Sequence, residues 1–374
     1  MKVIELCLSP DLGGLELYMY RCCEALGLAG DSVVPVIQPG AKLQGYMDRL
    51  SLPVKSLSPR VRVMPLASAR RLAGWVDQEE ADAIHVHWGK DLPLAALAKA
   101  ISRRKPRLVY TRQMMLTRSK DDPYHRFLYG QMDRMLTITE QLAVSAKAKL
   151  PGESREKVAT LYYGVAEPEV WLDSEARAAL RKTWKVAEKA VLVGVFGRIE
   201  AFKGQHLMIQ ALTNPMLEGK PVQLLIVGHA MDQTYQQSLR TQVERLGLSE
   251  RVHFFNFVEQ PQQWMQACDI VALTTRQETF GLVLAEAMRA NVAVVGSRAG
   301  GVPEIIEHGK TGLLFEPDNS DSLAEQVAVM VDDGERRRLM AEAGKRYADQ
   351  HFSPVEHYRA LRRHLAGSES GEEV

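Results

Sequence analysis

Glu278-Thr-Phe-Gly-Leu-Val-Leu-Ala-Glu286 places two carboxylates eight positions apart, on either side of a glycine. The apolar run Cys268–Thr274 before it predicts a strand, and Leu282–Arg289 predicts a helix. Backbone N–H groups at such a helix start bind anionic or polyhydroxyl ligands. Eight residues are a little over two helical turns, so we expect Glu278 in the turn and Glu286 about two turns into the helix. A ligand with a diphosphate between two hydroxyl-bearing ends suits this spacing; the alternative is a solvated acidic loop before an amphipathic helix.

The rest of the chain repeats the alternation of short apolar runs with helical patterns. The predicted strands are 3–8, 33–37, 83–87, 108–111, 135–138, 158–161, 191–196, 222–227, 252–255, 270–274, 292–295 and 312–315. This alternation is typical of the α/β class, with parallel sheets covered by helices on both faces. The strands are too many for one sheet of usual size, so we predict two doubly wound Rossmann-like domains. Their ligand crevices are expected at the carboxyl ends of the strands, facing a shared cleft.

A break between the two domains is predicted near Gly164–Trp171, where two acids and a proline separate a strand from a helix. The predicted domains are residues 1–165 and 166–353. The tail 367–374 is rich in Gly, Ser and Glu and is expected to be disordered.

Composition places this chain among ordinary water-soluble enzymes and binding proteins. It has 374 residues, 46% hydrophobic and 25% charged, with a net charge of +1, so nothing in the total charge demands a nucleic-acid partner. Residues 1–170 carry 24 Lys and Arg against 19 Asp and Glu. This basic half either favours an anionic acceptor or membrane surface, or reflects scatter.

The cysteines and the apolar runs predict the cellular setting. Cys7, Cys22, Cys23 and Cys268 lie in apolar contexts without metal-ligand spacing, which indicates buried reduced thiols. No signal-peptide pattern and no apolar run of 18 residues is seen. We therefore expect a cytoplasmic protein, with the inner face of the cytoplasmic membrane as a peripheral location.

Two glycine-containing loops after predicted strands are candidates for phosphate binding. Gly13-Gly14 before a helix lets backbone N–H groups approach a phosphate, although a plain tight turn is equally compatible. Arg198 and Lys203 follow the strand 191–196 and can clamp a diphosphate, or they are solvated loop cations. The absence of a G-x-G-x-x-G fingerprint argues against a nicotinamide enzyme.

The chain has no convincing metal motif. His85 and His87 flank one residue at a strand end and point to one face, but no third ligand has suitable spacing. We interpret them as polar cleft residues and predict neither a metal nor a cofactor. Asp121-Asp122 is interpreted as a solvated turn.

Taken in order, several segments resemble the retaining glycosyltransferases of family 4. They are Gly197-Arg198 with Lys203-Gly204, Leu225–Gly228, Asp269–Val271, Glu278–Leu282 with Glu286-Ala-Met, Gly300–Ile305 and Gly309–Leu314. The resemblance covers nearly the whole chain. It implies the GT-B fold of two Rossmann-like domains, with a final helix at about 354–366 that crosses back onto the N-terminal domain.

The resemblance also implies roles for matching residues. Arg198 and Lys203 would bind the diphosphate of a nucleotide-sugar donor and, with Glu278 at the donor sugar, form the catalytic group. Glu286 would hold the ribose hydroxyls, and Val258 would lie beside the base. Backbone groups along the segment Thr279, Phe280, Gly281 and Leu282 would support the sugar or phosphate.

On the N-terminal side the resemblance implies further contacts. Gly13 and Gly14 would approach the donor phosphate or the acceptor, and His87 would contact the sugar or acceptor. Many members have a histidine where Gln113 stands. An amide can hydrogen-bond a sugar hydroxyl but cannot carry a proton.

The reaction implied is metal-independent transfer of a sugar, with retention, to a saccharide or lipid-linked acceptor in bacterial envelope polysaccharide or lipopolysaccharide synthesis. Two alternatives remain: a sugar-nucleotide epimerase or isomerase on the same fold, and a non-catalytic nucleotide-sugar-binding protein. The segment Thr117–Tyr129 either binds an anionic acceptor or is a partly buried helix with a solvated face. The cations at 103–107 either touch an acidic membrane or form a solvated turn.

Overall fold

The computed structural model describes residues 1–368 and divides the chain into two compact units. Unit 1 contains Met1–Gly164 and the chain from Val355 onward, and unit 2 contains Val165–Pro354. Residues 369–374, most of the tail predicted to be disordered, lie outside the described residues.

Unit 1 contains one seven-stranded sheet with helices along the chain between most of its strands. The strands are β1 (Lys2–Cys7), β2 (Ser32–Ile37), β3 (Lys55–Ser56), β4 (Ala83–Val86), β5 (Arg107–Arg112), β6 (Arg134–Thr137) and β7 (Val158–Thr160). The helices are α1 (Gly14–Leu28), α2 (Gln44–Met47), α3 (Leu66–Gln78), α4 (Leu92–Ile101), α5 (Pro123–Gln131), α6 (Glu140–Lys149) and α7 (Gly152–Arg155). All strand pairs are parallel, in the order β3-β2-β1-β4-β5-β6-β7.

Unit 2 contains a six-stranded parallel sheet in the order β10-β9-β8-β11-β12-β13. Its helices are α8 (Ser174–Thr183), α9 (Gln205–Ala211), α10 (Gln233–Arg245), α11 (Pro261–Ala267), α12 (Leu282–Arg289), α13 (Val302–Ile305), α14 (Ser320–Asp332) and α15 (Gly334–His351). Its strands are β8 (Val191–Phe196), β9 (Val222–Val227), β10 (Val252–Phe255), β11 (Ile270–Leu273), β12 (Ala293–Ser297) and β13 (Leu313–Phe315). The predicted α/β class of two doubly wound sheets is therefore confirmed.

Burial on both faces explains why the strands read as continuous apolar runs. In β8 and β9 nearly every residue is buried, and alternate side chains of the two strands belong to one core cluster with helices of unit 2. In a strand covered on both faces, every side chain is buried, so polar and apolar residues do not alternate along it. The prediction missed only β3, which has two residues and pairs at the edge of the sheet.

The last helix, α16 (Pro354–Ala366), packs on unit 1, although it follows unit 2 in the chain. The Arg362 guanidinium donates to the fully buried carboxylate of Asp31 at 2.8 Å. Arg107 Nε donates to the backbone carbonyl of His364 at 2.7 Å. The crossing-back helix predicted at about 354–366 is confirmed.

His357 joins α16 to the core of unit 1 through both of its ring nitrogens. Its Nδ1 lies 2.6 Å from the Tyr162 carbonyl, and its Nε2 lies 3.0 Å from the Tyr18 hydroxyl. Burial lowers the pKa of His357 to about 4. Because the unfolded state then binds the proton first, the free energy of unfolding falls as pH drops from about 6.5 to about 4.

We expect His357→Asn to flatten this acid dependence. The variant should be less stable than wild type at pH 7, and the difference should shrink by up to about 3 kcal/mol toward pH 4. Urea unfolding at several pH values, compared between the two proteins, measures this. Burial raises the pKa of Asp91 to about 7, which makes the free energy of unfolding rise toward low pH, opposite to the effect of His357. Both proteins contain Asp91, so its contribution cancels in the comparison. A difference that stays constant with pH would contradict the assignment.

All four cysteines are buried and unpaired, as predicted. Within residues 1–368, none of the helices has both the length and the apolar character needed to cross a membrane.

Candidate functional site

The order of strands in unit 2 reverses beside β8, whose neighbours are β9 and β11. At such a switch point the loops leave the sheet in opposite directions and open a crevice at the carboxyl ends of the strands. The loop after β8 carries Arg198 and Lys203, and the loop after β11 carries Glu278. The fold therefore brings together loops that are 75 residues apart in the chain.

Lys203 and Glu278 form an ion pair between these two loops. Lys203 Nζ lies 2.8 Å from Glu278 Oε2, and the two side chains are 21% and 23% exposed. The Thr274 hydroxyl donates to the Lys203 carbonyl at 2.8 Å. Gly204 has a φ of +69°, and a Cβ there would lie 2.3 Å from the Thr274 carbonyl oxygen. The backbone of Lys203 is thus tied to the end of β11.

Arg198 lies on the same loop as Lys203, two residues after the end of β8. Its guanidinium pairs with Glu200 at 3.0 Å, and its side chain is 60% exposed. The Gln205 side-chain amide donates to the Arg198 carbonyl at 2.8 Å. Because the guanidinium is exposed and the backbone is anchored, this side chain is available to an incoming anion.

A pocket of about 220 Å³ opens beside Arg198. Val258 and Glu286 also line it, so the structure brings three of the predicted site residues together. Much of the remaining wall is apolar, from Phe196, Val227, Phe257, Pro261, Met265 and Val283. An apolar slot with a carboxylate and a guanidinium at its wall suits a planar base with a polar sugar and phosphate attached.

The start of α12 corrects one expectation about Glu286. Gly281 is the N-cap residue, with a left-handed φ of 99°, and Leu282 is the first residue of the helix. Glu286 consequently lies just over one turn into the helix, not two. In the predicted segment, Thr279, Phe280 and Gly281 precede this helix and Leu282 begins it.

A second glycine loop holds the backbone of Glu278. Gly301 N–H donates to the Glu278 carbonyl at 2.8 Å. Gly300 has a φ of +61°, and a Cβ there would lie 1.8 Å from the same oxygen. Only a residue without a Cβ can approach Glu278 as closely as Gly300 does, so this loop requires glycine there.

The predicted N-terminal site residues lie in unit 1. The Gly13 N–H at the start of α1 donates to Glu16 Oε2 at 2.8 Å, so a carboxylate already occupies one of the amides predicted to receive a ligand. Gln113 is 9% exposed, and its buried side-chain nitrogen has no hydrogen-bond partner among the described residues. The ligand contacts assigned to Gly13, Gly14, His87 and Gln113 stay predictions.

His85 and His87 share a buried carboxylate that the sequence analysis did not assign to them. His85 Nδ1 lies 3.0 Å and His87 Nε2 2.5 Å from Glu5 Oε2, and all three side chains are fully buried. Burial raises the pKa of Glu5, but the two histidines outweigh it and lower the pKa to about 2. Burial and His85 lower the pKa of His87 to about 4.

The three groups come within 4.8 Å of one another and could hold a metal ion. Glu5 is therefore the third candidate ligand that the spacing in the sequence did not reveal. It lies beside the histidines because β1 pairs with β4 and Glu5 is opposite His85. An acid within an otherwise apolar strand was the signal in the sequence. The carboxylate of Glu5 already accepts hydrogen bonds from N–H groups of the two histidines. These hydrogen bonds explain the burial of Glu5 without a metal ion.

Two family models match the chain. The model described as "Glycosyl transferase 4-like domain" matches residues 13–164, and the model described as "Glycosyl transferases group 1" matches residues 176–347. This chain is a glycosyltransferase of family 4. The group 1 match includes Arg198, Lys203, Glu278 and Glu286, so all four lie within the half of the glycosyltransferase that this model describes.

Two named relatives and one solved structure are similar to this glycosyltransferase over most of its length. It is 27% identical over 387 residues to a D-inositol 3-phosphate glycosyltransferase of Xylanimonas cellulosilytica, covering 92% of this chain and 89% of the relative. It is 27% identical over 293 residues to the N-acetyl-alpha-D-glucosaminyl L-malate synthase of Bacillus anthracis, covering 77% and 75%. Among solved structures, Anabaena HepE in complex with UDP-glucose matches with a TM-score of 0.80 at 26% identity, covering 98% of this chain and 100% of HepE.

Proposed function

We propose that this glycosyltransferase transfers a sugar, with retention at the anomeric carbon, from a nucleotide-diphosphate sugar to a saccharide or lipid-linked acceptor. The observation that carries the proposal is the pocket in unit 2, where Arg198 and Glu286 share one apolar wall with Val258. In this proposal the base lies at Val258, Glu286 accepts hydrogen bonds from the ribose hydroxyls, and Arg198 meets the diphosphate.

Lys203 and Glu278 are proposed to act at the bond that breaks. As the bond from the anomeric carbon to the phosphate oxygen lengthens, negative charge builds on the departing diphosphate. Lys203 and Arg198 would stabilise that charge, which lowers the barrier without a metal. Glu278 would hold the donor sugar near its reacting centre.

The acceptor hydroxyl is proposed to attack from the face that the diphosphate leaves, which produces retention. Its proton would pass to the leaving phosphate oxygen while the new glycosidic bond forms. This scheme asks no acid/base chemistry of Gln113, whose amide cannot carry a proton.

A UDP-sugar is the donor we propose, because HepE, 26% identical, was solved with UDP-glucose. We place the reaction in bacterial envelope polysaccharide or lipopolysaccharide synthesis, in the cytoplasm or at the inner face of the cytoplasmic membrane. The excess of Lys and Arg in the N-terminal half supports an anionic acceptor.

We expect UDP to raise the melting temperature of the protein more than GDP or ADP at equal concentration, with and without EDTA. Binding to the folded state stabilises it by mass action, by about 2.7 kcal/mol at a hundredfold excess over Kd. Glu286→Gln should weaken this shift, whereas Glu250→Gln, a change outside the pocket, should not. Equal melting temperatures with all three nucleotides would remove the donor assignment.

Proton NMR of the product then tests the reaction itself. Retention requires the anomeric coupling of the donor sugar to reappear in the product. Conversion of the donor alone into an isomeric sugar nucleotide would instead favour the epimerase alternative.

A further inference from the structure

Phe257 is an exposed aromatic residue in the wall of the pocket in unit 2. It is 69% exposed, the highest value among the exposed large apolar residues described for this unit. Its ring lines the same pocket as Arg198, Val258 and Glu286. An exposed ring at a pocket offers a flat apolar face that a flat part of a ligand can cover.

The pocket wall has a buried part and an exposed part. Met265 is fully buried and Phe196 is 5% exposed, so these two side chains belong to the inner wall. Phe257 lies at the opening. A flat group that enters the pocket would meet apolar side chains on the inner side and the ring of Phe257 on the outer side.

The short segment between β10 and α11, which carries Phe257, is held at both ends. At its start, the Gly228 N–H donates to the Phe255 carbonyl at 3.1 Å. At its end, the Gln260 side-chain amide donates to Glu169 Oε2 at 3.1 Å. The fold therefore fixes the place where Phe257 leaves the backbone, whereas an exposed side chain turns freely about its own bonds.

Other exposed aromatic residues of unit 2 do not line this pocket. Trp171 is 49% exposed, and Lys345 Nζ lies 5.5 Å from the centre of its ring. Phe202 is 53% exposed, on the short turn before Lys203. The wall of the donor pocket thus distinguishes Phe257 from the other exposed rings.

The order of strands places Phe257 away from the bond that is proposed to break. Phe257 follows β10 and Lys203 follows β8, with β9 between the two strands; Glu278 follows β11, on the other side of β8. Neighbouring strands are about 4.8 Å apart, so two spacings are roughly 10 Å. A donor with its diphosphate near Lys203 and its sugar near Glu278 therefore extends toward Phe257 with its base.

We propose that the ring of Phe257 stacks on the base of the bound nucleotide and shields it from water. The proposal rests on the proposed function, because it takes the ligand of this pocket to be a nucleotide. A phenyl ring and a base attract each other through their offset flat faces. The base is unchanged during transfer, so the contact stabilises the bound donor and the transition state equally.

Equal stabilisation of the two states separates this role from a role in the chemical step. Loss of uniform binding raises KM and leaves kcat unchanged. We therefore expect Phe257→Ala to raise the KM for a UDP-sugar about tenfold with the kcat of wild type.

Isothermal titration calorimetry of the full chain with UDP, and with pyrophosphate, which has no base, tests the contact. Phe257→Ala should bind UDP about tenfold more weakly than wild type and bind pyrophosphate equally well. Phe257→Tyr keeps the flat ring and should bind UDP like wild type, whereas Phe257→Leu keeps only apolar bulk and should recover little. The control Leu339→Ala removes a residue that is 50% exposed on α15, and it should bind UDP like wild type.

Phe257→Trp gives the same contact a spectroscopic signal. Because the indole at this position would stack on the base, UDP should change the fluorescence of the variant more than that of wild type. Pyrophosphate should not produce this difference.

Three results would overturn the proposal: equal UDP affinity of Phe257→Ala and wild type, equal weakening of UDP and pyrophosphate binding in Phe257→Ala, or wild-type UDP affinity of Phe257→Leu. A wild-type protein that does not bind UDP would remove the proposed donor, and the stacking role with it. UDP binding that is the same in wild type and Phe257→Ala would remove the stacking role alone.

Discussion

Lys203→Ala should lower kcat by about a hundredfold or more, since one lost donor to a developing oxyanion typically costs that much. The ammonium group lies 2.8 Å from Glu278, at the carboxyl end of the sheet where the diphosphate is proposed to bind. Steady-state transfer kinetics with a UDP-sugar donor measure the effect. Arg198→Ala should act in the same direction, and because its guanidinium is 60% exposed, the variant should fold like wild type.

Lys203→Arg and Lys220→Ala complete this experiment. Lys203→Arg keeps the charge beside Glu278 and should recover part of kcat, and the melting temperatures of both Lys203 variants report separately any loss of stability from the broken ion pair. Lys220 pairs with Asp332 at the surface, so Lys220→Ala should behave like wild type. Near-normal turnover of both Lys203→Ala and Arg198→Ala would refute the phosphate clamp.

Gly300→Ala should reduce transfer by about a hundredfold, because an ångström of misplacement at a reacting group costs that much. The added Cβ would meet the Glu278 carbonyl oxygen at 1.8 Å, and that oxygen belongs to the backbone, which cannot swing aside as a side chain would. Loop 300–301 or Glu278 must therefore move. Transfer kinetics and the melting temperature of the variant together measure the change.

Gly309→Ala is the matched control for Gly300→Ala. Gly309 has a φ of +82°, so alanine suffers similar backbone strain, but nothing lies within 4 Å of its added Cβ. It should lose about 1 kcal/mol of stability and keep its transfer activity. Equal losses of activity in the two variants would show that backbone strain, and not displacement of Glu278, is responsible.

The strands and α12 were predictable because their signals are local. A parallel strand buried on both faces is a continuous apolar run, and β8 and β9 were predicted with their observed bounds, Val191–Phe196 and Val222–Val227. Helix α12 was likewise predicted as Leu282–Arg289. The two-residue strand β3 carries no such run and was missed.

The contacts that are remote in sequence could not be predicted. Glu5 meets His85 and His87 only because β1 lies beside β4, and the order of strands is a property of the whole sheet. The pairing of Lys203 with Glu278 likewise depends on β8 lying beside β11. At the start of α1 the Gly13 N–H donates to the carboxylate of Glu16. The spacing of the residues alone does not decide whether that N–H binds this side chain or an external phosphate.

The return of α16 to unit 1 has a consequence for biosynthesis. Unit 2 is continuous in the chain, so all of its residues have been synthesised once Pro354 is added. Unit 1 begins first but is completed last, because Asp31 and Tyr18 receive Arg362 and His357 only after the whole of unit 2 has been made. Synthesis of the two units therefore ends in the reverse of the order in which it begins.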